Sequence, residues 1–146
     1  MRSVVLFIAL LCGVASASPR DWAGSATCGT CHPAELAAWQ TTRHAMTRDR
    51  FVDRPQAKCL ACHGTGEAPA GTAIAVEVGC EACHGAGGAY ATDDLMRTPF
   101  VAQALGLADL STPKTRTALC MQCHATATRM VAKFDPKAPV HPVKPK

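Results

Sequence analysis

Bulky apolar side chains are scarce in this chain of 146 residues: two tryptophans, one tyrosine and four phenylalanines are its whole aromatic content. The 48% hydrophobic fraction is largely alanine, which accounts for 27 residues. From residue 18 onward, Leu, Ile, Val, Phe, Met, Trp and Tyr together number 25 of 129. A chain so built is poorly equipped to form a conventional core from side chains alone, and something else must fill the interior. Strong charge is also lacking. A net charge of +4, with no interleaving of aromatics and basic residues, gives nucleic-acid binding little support. No apolar run after the first is long, which excludes a multi-pass membrane protein.

That first run reads as an address. Met1 and Arg2 give a short positive start, residues 4–11 are apolar, and Ala15-Ser16-Ala17 has the small-x-small pattern of a signal-peptidase site. Cleavage after Ala17 is expected, giving a signal peptide at 1–17, a domain at 18–133 and a Pro-rich extended tail at 134–146. The rival reading, lipidation at Cys12, meets Ala9-Leu10-Leu11 where a small residue is wanted just ahead of the cysteine. Removal of Arg2 with the signal lowers the net charge to +3, and Cys12 leaves with it. The mature protein is expected to be periplasmic, soluble and not itself membrane-spanning.

The eight remaining cysteines form four copies of one word: Cys28-Gly-Thr-Cys31-His32, Cys59-Leu-Ala-Cys62-His63, Cys80-Glu-Ala-Cys83-His84 and Cys120-Met-Gln-Cys123-His124. This is the attachment word for c-type haem. Two thiols at this spacing reach the two vinyl groups on one porphyrin edge, and the next residue sets its imidazole under the iron. Disulfide frameworks, zinc ribbons and thioredoxin-like switches also use paired cysteines. None of them explains a histidine after the second cysteine every time. Four covalently attached haem c groups are therefore expected. They would supply the missing apolar bulk and couple folding to cofactor loading. The predicted fold is mainly α with little regular structure, short helices and loops wrapped around four haems.

Local signals refine that picture. Pro33 opens a helix whose continuation, residues 34–48, lacks Gly and Pro, and Leu36, Trp39, Arg43 and Met46 would share one face. Residues 49–56 read as a loop, 64–71 as a flexible link and 72–78 as one short strand at best. A short helix is expected over 100–107, ended by Gly106. Another, capped by Ser111 or Thr112 and opened by Pro113, should run through the fourth motif to about Lys133. The motifs lie 31, 21 and 40 residues apart, so this is no simple repeat array.

Ligand arithmetic is sharper. Four irons have eight axial positions, and the motifs fill four with His32, His63, His84 and His124. Only His44 and His141 remain of the six histidines. At most two haems are then bis-histidine within one chain. The others need methionine, lysine, water, a partner's side chain or an empty site. His44 lies 12 residues beyond His32, roughly 18 Å along a straight helix, so it should serve a different iron. The competing reading is a solvated histidine beside Arg43. For His141, between Val140 and Pro142, the competing reading is an idle terminal residue. Met46, Met96, Met121 and Met130 are candidate ligands, although methionine more often fills gaps.

Two longer words carry a family likeness. Ala37-Ala38-Trp39-x-x-Thr42-x-His44-Ala45 after the first motif, and Val78-Gly79-Cys80-Glu81-Ala82-Cys83-His84-Gly85, resemble the tetrahaem cytochrome c-554 family. Its members accept electrons during hydroxylamine oxidation. The resemblance spans about residues 25–125 and is weak in the tail. It implies haems in stacked and tilted pairs, three of them bis-histidine and one open. It assigns His44 to the fourth-motif haem, His141 to the third, and leaves the haem of His63 open. Where the family has a histidine for the first haem this chain has Asp94; Met96, two residues on, is the expected substitute.

Three function classes follow. The leading one is a periplasmic carrier that shuttles electrons between periplasmic or membrane-bound redox proteins, with no catalytic residues of its own. The second is an enzyme acting on a small nitrogen oxide or peroxide at an open iron, with Arg43, Arg48, Arg50, Arg54 and Lys58 as nearby charge. Those cations are equally suited to pairing with haem propionates. The third is self-association into a conductive filament, with His141 reaching a neighbouring subunit.

Overall fold

The computed structural model describes residues 21–51, 57–66 and 76–124, with positions 135 and 141. The signal peptide, residues 72–75 of the expected strand, Met130 and most of the Pro-rich tail lie outside the described residues.

Eight short helices carry the described chain. α1 (Ser25–Cys31) holds the first motif and passes through His32 into α2 (Pro33–Gln40). α3 (Thr47–Phe51) follows, then α4 (Ala57–His63) and α5 (Cys80–His84) with the second and third motifs. α6 (Asp93–Met96) and α7 (Pro99–Ala104) lead to α8 (Pro113–His124), which ends on the fourth. Proline stands at the first position of α2, α7 and α8, where its missing N–H costs nothing and its fixed φ suits a helix. Thr112 caps α8, its Oγ1 accepting from the Thr115 amide at 3.1 Å, as expected. Among the described residues no strand forms.

The helix expected through residue 48 breaks at Gln40. Thr41 and Thr42 each turn a hydroxyl back onto the chain, donating to the carbonyls of Ala38 and Trp39 at 2.8 and 2.7 Å. Such back-bonding competes with helix continuation, and the chain turns through residues 41–46 before α3 begins at Thr47 and runs into the expected loop. His44 thus sits on a turn, and the straight-helix distance to His32 does not apply. The proposed apolar face is lost too: Trp39 is buried, but Met46 is exposed.

Burial confirms the shortage of core. Among the described residues the buried apolar side chains are Trp39, Tyr90 and Ala102, matched by buried Thr47, Thr65 and Glu81. What knits the helices together is a polar hub at residues 77–81. The Trp39 indole donates to the Val78 carbonyl at 2.9 Å. The Val78 amide donates to Thr47 Oγ1 at 3.2 Å. Thr65 Oγ1 donates to the Glu77 carbonyl at 2.6 Å and accepts from the Gly79 amide at 2.7 Å. Ser25 of α1 donates to Glu77 at 3.1 Å. Segments leading into or out of the first three motifs therefore converge on one extended stretch, just ahead of Cys80. Gly79 belongs there because a Cβ would meet Ser25 Oγ at 2.5 Å.

Candidate functional site

Each motif places its cysteines on a helix and its histidine at or beside the helix end. None of the eight motif cysteines is in a disulfide, so each is open to thioether attachment. They approach in pairs across motifs. Cys28 lies close to Cys80, and Cys62 to Cys123. The closeness of the two thiols holds Cys80 below the usual thiol range and raises Cys28. Burial pushes Cys83 up to about 11, helped by nearby Cys120, and Cys123 to about 11.

The histidines gather in two groups. The rings of His44 and His124 lie 6.2 Å apart between centroids, at 80°. Those of His84 and His141 lie 5.9 Å apart, at 31°. A metal-bound imidazole nitrogen sits about 2 Å from its metal, so two imidazoles on opposite sides of one iron have centroids roughly 6 Å apart. Both pairs have that spacing, and these residues fit a haem iron. Burial lowers the affinity of His44 for a proton, with His124 and His63 adding to the effect. His84 is lowered likewise, by burial first and then by His141 and His32. Buried, neutral imidazoles are the form that binds metal.

Met96 lies half-buried at the end of α6. The adjacent Arg97, held by Asp93 through bonds of 2.8 and 2.9 Å, comes near enough to Cys31 to feel its charge. Arg97, at the C-terminal end of α6, is thus within electrostatic range of the first motif. Asp94 is exposed.

Three supporting residues escaped the sequence reading. Glu81, inside the third motif, is buried and accepts from the amides of Ala23, Gly24 and Gly87 at 2.8, 2.8 and 2.7 Å. Tyr90 is buried and directs its hydroxyl to the carbonyls of His84 and Gly85, each at 2.9 Å. Thr47 donates to the His44 carbonyl at 2.7 Å. The available signal was the polar residue wedged between glycines, at Gly79 and Gly87.

Residues 27–85 match the family model for cytochrome c554 and c-prime, spanning the first three motifs and both longer words. No curated protein and no solved structure matches the chain.

Proposed function

From a chain whose residues 27–85 support a c554-type cytochrome family, we propose a periplasmic tetrahaem c-type cytochrome that shuttles single electrons between protein partners. The observation that carries this reading is the spacing of two imidazole pairs, 6.2 and 5.9 Å, each joining a motif histidine to a histidine outside the motifs. Haem c supplies reversible one-electron chemistry when bound. The chain's own residues tether it through Cys28, Cys31, Cys59, Cys62, Cys80, Cys83, Cys120 and Cys123. His32, His63, His84 and His124 would hold the four irons, with His44 paired with His124 and His141 with His84. Met96 is proposed opposite His32, its neighbour Arg97 being within electrostatic range of Cys31.

The thiol contacts set an order. Cys28–Cys80 brings motif one to motif three, and Cys62–Cys123 brings motif two to motif four. Cys83 and Cys120 are close enough to interact, which links the two pairs. Electrons would then pass along motifs one, three, four and two, with a redox partner docking at each end. Among the described residues no helix is long and apolar enough to cross a membrane.

Six histidines for eight axial positions favour one secondary reading, a small-ligand reaction at the haem of His63. Intact mass and a haemochrome assay on the purified holoprotein test the main proposal. Four haems on a chain starting at Ser18 support it, and three or fewer overturn it. Nitric oxide added to the ferric protein tests the secondary reading: a spectral change at one haem that vanishes on turnover with reductant favours an enzyme, and inert spectra favour a plain carrier.

A further inference from the structure

Among the described residues, Glu81 is a buried carboxyl side chain with no part in the proposed carrier. It is 4% exposed, sits between the two cysteines of the third motif, and reaches back to Ala23 and Gly24, which lead into the helix of the first. Oε1 accepts from Ala23 and Gly87, and Oε2 from Gly24. Among the described residues its donors are all main-chain amides, with no Lys or Arg among them. Three donors suit a carboxylate, which accepts only. Amide dipoles stabilise the charge without cancelling it, so its field persists in a low-dielectric neighbourhood. Cys28 and Tyr90 both feel that field.

We infer that Glu81 is a fixed negative charge lodged between the first and third motifs, and that it holds the haems of those motifs more resistant to reduction than a neutral residue would. A negative charge favours the ferric over the ferrous state of a nearby iron. Its placement discriminates, because motifs one and three meet at Cys28 and Cys80 while motifs two and four meet elsewhere, at Cys62 and Cys123. The inference rests on the haem reading above, and makes Glu81 a tuning residue with no part in ligation. The same contacts also fix the approach of α1 to α5, so the charge and the geometry must be separated by experiment.

The test is spectroelectrochemical titration of holoprotein carrying Glu81→Gln, after its haem count is confirmed. Two of the four midpoint potentials should rise, by about tenfold in the ferrous-to-ferric ratio, which for one electron is about 59 mV. The other two should stay in place. In a His44→Met background, the haem moved by that second change should not be one of the two moved by Glu81→Gln. Four haems with unmoved potentials, or an equal rise in all four, overturns the inference while leaving the cytochrome reading intact. Should Glu81→Gln fail to load four haems, Glu81→Asp takes its place. A retained charge predicts wild-type potentials, and a tenfold shift in any pair overturns the assignment.

Discussion

The ring of His44 stands nearly perpendicular to that of His124, at 80°. The His84 and His141 planes differ by only 31°. Each imidazole interacts with iron through a π orbital normal to its ring. Rings close to parallel act on one iron d orbital and split the pair. Crossed rings act on both and leave the pair nearly degenerate, so orbital angular momentum survives. Ferric EPR of the holoprotein should therefore show one strongly anisotropic low-spin signal with a large maximal g, and one ordinary rhombic signal. His44→Met should abolish the first and His141→Met the second. Loss of the rhombic signal from His44→Met would reverse the pairing and sink the assignment.

How much of this was legible beforehand differs by residue. The four Cys-x-x-Cys-His words were readable because the cofactor's own dimensions dictate their spacing. The partner of His44 was not derivable from spacing: a turn, rather than a continuous helix, separates it from His32, and only the family likeness pointed to His124. The break after Gln40 carries no Gly or Pro, and two threonines bonding back to carbonyls make a weak local signal. Glu81 is, in the sequence, only one of two residues between a motif's cysteines. Its burial follows from amides 57 and 58 residues away in sequence, which no local pattern announces. Of the expected strand, residues 76–78 are described and form no strand, and residues 77–80 are held by side chains instead.

Trp39 and Val78 explain why the two longer words occur together. The indole N–H donates to the Val78 carbonyl, while the Val78 amide bonds to Thr47, whose hydroxyl also holds the His44 carbonyl. Trp39→Phe leaves that carbonyl without its donor and shrinks one of few buried apolar groups. A loss of about 1–3 kcal/mol is expected, read as a lower thermal midpoint of the holoprotein with a broadened His44 EPR signal. An unchanged midpoint would show that the hub does not depend on the indole.

Gly24 and Gly85 share almost the same φ, +83° and +82°, but not the same surroundings. Both combine it with extended ψ, a region essentially reserved for glycine. A Cβ on Gly24 meets nothing within 4 Å, whereas one on Gly85 collides with the main-chain oxygen of Gly106. Gly24→Ala should cost about 1–3 kcal/mol from backbone strain alone. Gly85→Ala should cost more, because a backbone atom cannot yield as a side chain does. Denaturant titration of the two holoproteins compares them, and equal losses would mean that the Gly85–Gly106 approach is easily relaxed.

Tyr90 offers a test at the alkaline end. Its phenol is buried against the third motif, donating to the carbonyls of His84 and Gly85. Burial pushes it up to about 12, with the Glu81 carboxylate adding to the shift. The folded chain thus holds this proton more tightly than the unfolded chain, in which a phenol titrates near about 10. Its stabilisation is complete below that value and is lost as pH rises from about 10 toward about 12. Tyr90→Phe should lose about 1 kcal/mol at neutral pH and flatten the decline across that alkaline window. Denaturation curves at several alkaline pH values, followed by haem absorbance, decide it. A variant that declines as steeply as the parent would place the alkaline sensitivity elsewhere, and Tyr90 would then serve His84 only as a neutral brace.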